Sequence, residues 1–219
     1  MESKSWAGGI LAHGVTVNAV VFGYAGDHLE IVLIRRAIPP YKGSWALPGG
    51  FVLVDESLEE AVQRELREET GLSNIFLEQL YTFGDVGRDP RGRVVTVAYY
   101  GLVRPGVYPV IGGADASQAR WAKLNDLKSI AFDHKRIIRL ALERLRVKIN
   151  YSPIGFELLP EQFTLIQIQH LYEVILGRQL DKRNFRKKAA EMYVLKDLKK
   201  TKMEGAHRPA ALYSFVRMN

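Results

Sequence analysis

The sequence predicts a mixed α/β domain over residues 1–150, followed by a small basic domain with a helix-turn-helix over residues 151–219. Three observations lead to this prediction. Strand-like runs rich in β-branched residues alternate with amphipathic helices in the first part. A connection containing Pro and Gly then precedes a C-terminal part that carries twelve Lys and Arg residues against seven Asp and Glu residues. Most of the chain's net charge of +7 therefore lies in the second domain.

The strands of the first domain follow from short apolar runs bounded by turn residues. Strands are predicted at 15–22 and 29–35, and a loop rich in Pro and Gly follows them. Further strands are predicted at 74–83 and 94–103, with a short one at 118–122.

A predicted helix in the middle of this domain has an acidic side. Asp55 is its expected N-cap and Gly71 its expected C-terminal glycine. Glu65, Glu68 and Glu69 have the spacing i, i+3 and i+4, which places their carboxylates on one side of the helix. One interpretation is a solvated acidic face. The other is a site for Mg²⁺ or Mn²⁺, because hard cations bind carboxylate oxygens.

A polar loop at 82–93 joins two of the strands and contains Arg88, Arg91 and Arg93. On composition alone it is a long hairpin connection. Guanidinium groups also match phosphate oxygens, so these arginines are candidates for phosphate or ribose contacts. Their spacing does not indicate which of them reaches a ligand.

The last helix of the first domain is predicted at 135–147. Asp133 is its expected N-cap. We expect His134 to be a helix-start or packing residue, and not a catalyst.

Two helices and a pair of strands are predicted in the C-terminal domain. The first helix has Thr164 as N-cap and ends at Gly177. The second starts at Asp181 or Lys182 and is strongly basic, so the two helices have the order of a helix-turn-helix. Residues 194–216 are predicted to form a strand, a basic tip and a second strand, which is a wing.

The basic helix and the wing form a candidate surface for double-stranded DNA. Lys and Arg side chains neutralise phosphates, while Asn184 or Arg186 could contact base edges in the major groove. The alternative is a basic domain that serves only solubility or dimerisation. The predicted DNA-binding residues are Lys182, Arg183, Asn184, Arg186, Lys187, Lys188, Lys200, Lys202, His207 and Arg208.

The composition excludes several classes of protein. The chain has no Cys, which excludes disulfides and a thiolate zinc site. Its N-terminal segment lacks the basic-then-apolar order of a signal peptide, and no apolar run approaches the roughly 18 residues of a membrane helix. We therefore expect a soluble cytoplasmic protein with no membrane segment.

Residues 50–72, GFVLVDESLEEAVQRELREETGL, resemble the Nudix box at every defined position. Those positions are Gly50, Glu56, Arg64, Glu65, Leu66, Glu68, Glu69, Gly71 and Leu72. The resemblance implies a Nudix α/β/α sandwich with a mixed sheet. It also implies metal-dependent cleavage of a nucleoside diphosphate linked to another group. The implied catalytic residues are Arg64, Glu65, Glu68 and Glu69, and the implied metal ligands are Gly50, Glu56, Glu65, Glu68 and Glu69.

The segment YTFGDVGRDPRGRVVTVAYY resembles the ADP-ribose-handling branch of the Nudix superfamily. This resemblance implies a pocket for ADP-ribose or a related nucleotide. The implied ligand-binding residues are Arg36, Arg88, Asp89, Arg91 and Arg93.

One position departs from that branch. Many ADP-ribose pyrophosphatases have a glutamate before the Ala-Arg-Trp strand, where it activates or positions the attacking water. This chain has Gln118 there, and the nearest carboxylate is that of Asp115. Water activation would then depend on a box glutamate, on Asp115 or on metal-bound hydroxide, or else turnover is slow.

A Nudix domain followed by a basic winged helix resembles the Nudix-related transcriptional regulators of the NrtR type. The segments FTLIQIQHLYEVILGRQLDKRNFRKK and HRPAALYSF carry this part of the resemblance. It implies a dimeric repressor of NAD-metabolism genes that responds to ADP-ribose or a related nucleotide. Because the box is intact in this chain, we also expect the Nudix domain to keep some Mg²⁺-dependent pyrophosphohydrolase activity. The alternative is an ADP-ribose pyrophosphatase whose basic tail is not a specific DNA reader. A hydrolase for oxidised nucleotides fits the arginine-containing loop and the tail less well.

Overall fold

A mixed six-stranded sheet forms the centre of the first domain. The structure is a computed structural model that describes residues 13–111, 116–192, 195–203 and 209–216. β1 and β5 are parallel, and the other pairs are antiparallel, with the order β3-β2-β1-β5-β4 and β6 against β2. The strands are β1 (Gly14–Tyr24), β2 (Leu29–Arg36), β3 (Trp45–Ala46), β4 (Leu77–Phe83), β5 (Val94–Leu102) and β6 (Ala116–Lys123).

Helices cover both faces of this sheet. Val17 and Val21 of β1 pack on the side of α1 (Leu58–Thr70), whereas Val20 and Phe22 pack on the side of α2 (His134–Lys148). This division follows from the period of two along a strand, which sends successive side chains to opposite faces. The predicted α/β/α sandwich with a mixed sheet is confirmed.

The N-cap of α1 is Ser57, so the expectation for Asp55 is wrong. The Ser57 hydroxyl accepts the Glu60 backbone N–H at 3.2 Å, and the Glu60 carboxylate accepts the Ser57 N–H at 2.8 Å. This reciprocal capping box requires a Ser or Thr with a Glu three residues later. Asp55 lies two residues too early to cap a helix that begins at position 58. Gly71 closes the helix with a φ of 75°, as expected.

The other element bounds shift by a few residues from the predicted ones. β4 begins at Leu77 and not at position 74, because Asn74 has a left-handed backbone with a φ of 55°. Within the loop after β2, the two-residue strand β3 pairs with Ile34 and Arg35.

The second domain has the predicted helix-turn-helix with a wing. Helix α3 (Leu165–Leu176) begins with a capping box between Thr164 and Gln167 and ends at Gly177, whose φ is 68°. Helix α4 (Lys182–Met192) follows. The strands β7 (Phe163–Thr164), β9 (Ala210–Phe215) and β8 (Leu195–Lys202) form a small antiparallel sheet in this order.

The two domains share one continuous hydrophobic core. Ile137, Ala141 and Leu145 of α2 belong to the same buried cluster as Leu171 and Ile175 of α3. Short 3-10 helices span Leu124–Asp126 and Pro153–Leu158. The predicted division between residues 150 and 151 stays a prediction. Within the described ranges, no helix has both the length and the apolar character that crossing a membrane requires.

Candidate active site and candidate nucleic-acid interface

A cleft of about 290 Å³ lies between the sheet, α1 and the start of α2. Side chains from β1, the end of β2, the loop after β3, α1, the arginine-containing loop and α2 all contribute to its walls. Four of the five predicted ligand-binding residues are brought together there. The lining residues are Thr16, Asn18, Arg36, Ile38, Leu47, Gly49, Gly50, Phe51, Leu53, Arg64, Glu65, Glu69, Arg88, Asp89, Arg91, Phe132 and His134.

Arg93 is the predicted ligand contact that does not line this cleft. Its guanidinium donates to the carbonyl oxygen of Gly84, at the other end of the same loop. The role supported by this contact is closure of the loop.

Arg64 holds three of the box glutamates together. Its Nε and Nη2 donate to the carboxylate of Glu56 at 2.9 and 2.7 Å, and its Nη1 donates to Glu65 at 2.8 Å and to Glu68 at 3.3 Å. The hydrogen bonds from Arg64 lower the pKa of Glu56 to about 2, and the same contacts raise the pKa of Arg64. We call Arg64, Glu56, Glu65 and Glu68 the Arg64 cluster.

Glu65 is a partly buried member of the Arg64 cluster, with its side chain 13% exposed. Burial raises the pKa of Glu65 above its ordinary value although Arg64 stabilises the anion, and the charges of Glu68 and Glu56 add to the rise. Gly50 makes room for this carboxylate, because a Cβ at position 50 would lie 2.2 Å from Glu65 Oε1. The predicted metal ligand Gly50 also has its carbonyl oxygen bound to the Val17 N–H at 2.9 Å.

The three helix glutamates do not share one environment. Glu69 is only 6% exposed and accepts the Gly49 backbone N–H at 2.8 Å, whereas the side chain of Glu68 is 43% exposed. The acidic side is therefore not a uniformly solvated face. At Glu69 the acidic side contacts the Gly-rich turn, and at Glu68 it is open to water.

The donor set of the Arg64 cluster fits a hard divalent cation, since it consists of carboxylate oxygens. The guanidinium of Arg64 also contacts these carboxylates and neutralises part of their charge. Across the described residues, no three His, Asp or Glu side chains surround a common point that would hold an ion.

Arg88 of the arginine-containing loop also lines the cleft and forms an ion pair with Asp133. Its side chain is 4% exposed, and it donates to both carboxylate oxygens of Asp133 at 2.7 and 3.0 Å. Asp133 is at the N-cap position of α2, but its side chain makes no capping hydrogen bond. The capping role expected for Asp133 is therefore wrong, because Arg88 takes its carboxylate.

Arg91 is held in a similar way beside the aromatic walls. It donates to both oxygens of the buried Asp89 at 3.0 and 2.7 Å. Burial would raise the pKa of Asp89, but the hydrogen bonds from Arg91 bring it below its ordinary value. The guanidinium lies 4.7 Å from the ring centroid of Phe51, and that of Arg36 lies 5.0 Å from the centroid of Phe132.

The aromatic walls and His134 are among the cleft residues that sequence reasoning missed. Phe51 adjoins the box and Phe132 precedes α2, but neither has a spacing that signals a binding role. His134 is the first residue of α2 and is buried, so its helix-start and packing roles are confirmed. It also lines the cleft, which nothing in its sequence position indicated.

Of the two residues considered for water activation outside the box, the structure describes only Gln118. Gln118 is exposed on β6 opposite Arg35 and is not among the residues that line the cleft. Asp115 lies outside the described residues.

The candidate nucleic-acid interface is the exposed side of α4. Phe185 and Ala189 are buried, which turns the polar and basic side chains of this helix to solvent. Asp181 caps the helix, because its carboxylate accepts the Asn184 N–H at 2.8 Å. The exposed residues are Lys182, Arg183, Asn184, Arg186, Lys187 and Lys188 on α4, with Lys200 and Lys202 on β8.

The turn before α4 is fixed by polar contacts to α3. Glu173 accepts the Leu180 N–H at 2.9 Å, and Gln169 donates to the Leu180 carbonyl at 3.0 Å. The two helices are thus held at a set orientation, as a reader of the DNA groove requires. The predicted contacts His207 and Arg208 lie outside the described residues.

Two family models match the chain. Residues 12–141 match the model described as NUDIX domain, and residues 155–215 match the model described as NrtR DNA-binding winged helix domain. The resemblance drawn from the box and from the C-terminal segments is thereby confirmed.

Two individual relatives match over 92% of the chain, and a third matches its first domain. The ADPR responsive transcriptional repressor NtrR of Acinetobacter baylyi is 39% identical over 207 residues, which are 92% of this chain and 82% of the relative. The crystal structure of Shewanella oneidensis NrtR complexed with a 27mer DNA has 38% identity and a TM-score of 0.80, covering 92% of this chain and 93% of that one. The Nudix domain of the same protein complexed with ADP ribose has 39% identity and a TM-score of 0.59, covering 65% and 94%.

Proposed function

The chain belongs to the Nudix-related transcriptional regulators of the NrtR type, and we propose that it is a repressor that senses ADP-ribose. In this proposal, the Nudix domain binds ADP-ribose or a related nucleotide, and the winged helix binds an operator in double-stranded DNA. The controlled genes are those of NAD metabolism, and the protein acts in the cytoplasm. A homodimer would present two copies of α4 to the two half-sites of a palindromic operator.

The DNA-binding part of the proposal depends on one observation, the division of α4 into a buried apolar side and an exposed basic side. Its apolar side is buried against α3, while six polar or basic side chains are exposed on the other side. Lys and Arg residues in such a row release counterions from the phosphate backbone, and a helix of this kind fits the major groove.

The composition of the cleft supports a dinucleotide-like ligand. Arg36 and Arg91 supply cationic groups for phosphates, and Phe51 and Phe132 supply flat apolar surfaces for a base or a sugar. The side chain of Arg88 is 4% exposed and paired with Asp133, so its role is to support the wall of the cleft. That of Arg91 is also paired, with Asp89, but it is 38% exposed and can still meet a phosphate.

Helix α2 offers a physical connection between the two surfaces. His134 at its start lines the cleft, and Arg146 near its end donates Nε–H to the carbonyl of Ile175 in α3 at 2.8 Å. A movement of α2 on ligand binding would therefore be transmitted to the helix-turn-helix. The ligand changes DNA affinity only to the extent that it binds the free and the DNA-bound arrangements differently.

Two substitutions test the DNA-binding assignment. Arg186→Ala is expected to weaken operator binding by about 1–3 kcal/mol and to relax the sequence preference, because the lost group would contact a base edge. Lys200→Ala is expected to weaken binding to operator and random DNA alike and to lower the slope of log affinity against log salt by about 1. Mobility-shift titrations at several salt concentrations measure both effects. Failure of the unaltered protein to bind the operator at low salt, with and without ADP-ribose, would contradict the repressor assignment.

A second candidate activity is Mg²⁺-dependent cleavage of ADP-ribose, supported by the complete set of box carboxylates. Glu65, Glu68 and Glu69 would hold Mg²⁺ or Mn²⁺, with Glu56 assisting. A bound metal supplies activated water and neutralises phosphate charge. Arg64 would orient Glu56 and Glu65 through the contacts it already makes. Because both the cation and Arg64 require ionised carboxylates and burial raises the pKa of Glu65, we expect acidification to reduce the activity at a higher pH than an ordinary carboxyl group would.

Incubation of the protein with ADP-ribose and Mg²⁺ tests this activity. We expect AMP and ribose 5-phosphate to form, and Glu68→Gln to reduce their rate of formation by about tenfold or more, since a lost ligand weakens metal binding. Glu143→Gln, on the exposed side of α2, is the matched control and should leave the rate unchanged. Recovery of intact ADP-ribose after incubation with the unaltered protein would contradict the cleavage activity, and only the sensing role would remain.

A further inference from the structure

His134 is a buried polar side chain at the meeting point of the cleft and α2. It is 4% exposed, and its ring lies 5.2 Å from that of Phe132. The backbone N–H of Leu47, in the turn before the Gly-rich segment, donates to His134 Nδ1 at 3.0 Å. The imidazole therefore joins the start of α2 to the opposite side of the cleft.

This contact determines which ring nitrogen carries the proton. A neutral imidazole has one N–H donor and one acceptor, and a backbone N–H can be accepted only by the unprotonated nitrogen. Since Nδ1 accepts from Leu47, the proton is on Nε2. Among the described residues, Nε2 makes no hydrogen bond, and the side chain lines the cleft.

The surroundings keep this ring neutral. Burial lowers the pKa of His134 to about 3, and the nearby guanidinium groups of Arg88 and Arg36 act in the same direction. The carboxylates of Asp133 and Asp89 oppose them, but both are engaged by arginines. The position at the N-terminus of α2 further disfavours an imidazolium, because the helix dipole is positive there.

We propose that His134 is a specificity-determining residue of the cleft, which donates its Nε2–H to an oxygen of the bound nucleotide. The proposal rests on the ADP-ribose site proposed above. The charges of the surrounding arginines attract any phosphate, wherever it lies in the cleft. The neutral Nε2–H of His134 instead selects for a ligand that has an oxygen acceptor at one position. A ligand without that acceptor would leave Nε2–H buried and unpaired, which is unfavourable. His134 thus distinguishes nucleotides that the arginines alone would bind alike.

Two substitutions separate this role from packing. In His134→Asn, the amide oxygen takes the position of Nδ1 and keeps the bond from Leu47, but the side chain is too short to reach the place of Nε2. In His134→Gln, the amide nitrogen reaches the place of Nε2 and keeps a donor there, while the acceptor for Leu47 is lost. The first variant keeps the structural bond, and the second keeps the ligand bond.

We expect His134→Asn to weaken ADP-ribose binding about tenfold by calorimetry, the loss of one neutral hydrogen bond, with little change in melting temperature. His134→Gln should show the opposite pattern, a lower melting temperature with affinity closer to that of the unaltered protein. Affinity of the unaltered protein should not change between about pH 5.5 and 8, where an ordinary histidine titrates. The ring ¹⁵N spectrum should show Nε2–H in the free protein, with its proton resonance shifted downfield by ADP-ribose.

The outcomes separate this inference from the proposed function. An unaltered protein that does not bind ADP-ribose contradicts the proposed function itself. Tight binding by the unaltered protein and by His134→Asn alike overturns the role of His134, as does an Nε2 proton resonance that ADP-ribose leaves unmoved.

Discussion

Replacement of Arg88 by Ala is expected to lower the free energy of unfolding by about 3 kcal/mol, because it leaves the carboxylate of Asp133 without a partner in a largely buried place. Arg88 is 4% exposed at its side chain and makes two charge-assisted hydrogen bonds to Asp133. Water can replace little of this interaction. Urea unfolding of the variant, followed by circular dichroism, measures the loss.

A double-mutant cycle with Asp133→Ala identifies the cause. The double variant should be less destabilised than the sum of the single ones, because removal of both charges leaves neither unpaired. Arg139→Ala, on the exposed side of α2, is the matched control and should change stability by less than about 0.5 kcal/mol. Additive effects of Arg88 and Asp133 would show that the pair is not coupled.

Replacement of Phe185 by Ala is expected to destabilise the second domain by about 3 kcal/mol and to abolish operator binding. Phe185 is 7% exposed and meets the ring of Tyr172 edge to face, with centroids 5.3 Å apart. Its side chain and that of Ala189 are the buried ones among the described side chains of α4. The variant therefore loses most of the packing between α4 and α3, which orients the basic side of α4 for DNA binding.

Phe185→Leu is the matched variant, since it keeps most of the apolar volume and should cost less than about 1.5 kcal/mol. Operator affinity by mobility shift and unfolding by calorimetry measure both variants, with ADP-ribose affinity as a control on the cleft. Undiminished operator binding by Phe185→Ala would show that α4 does not depend on this anchor.

The local features of the fold were predictable wherever one short segment contains the whole signal. The β-branched residues of β1, the glycines at 71 and 177 and the capping threonine at 164 all act on their immediate neighbours. The box carboxylates were identified in the same way, because their spacing lies within one helix.

Errors arose where a polar side chain has partners from two parts of the chain. Asp133 stands at a correct N-cap position, but Arg88, 45 residues earlier, takes its carboxylate. The partner of Asp133 comes from elsewhere in the fold, so no pattern within its own segment could indicate which contact is made. Arg93 donates to the Gly84 carbonyl within its own loop, and its role as a ligand contact stays a prediction.

By itself, the sequence determined the family, the order of the elements, the acidic helix and the basic recognition helix, because each depends on residues close together in the chain. Only the tertiary structure decided how these groups are used. It placed Arg64 among three glutamates, paired Arg88 and Arg91 with aspartates, and turned His134 into a neutral donor at the cleft. The physical reason is that burial and competing partners set the charge and direction of a polar group, and both arise only when distant segments meet.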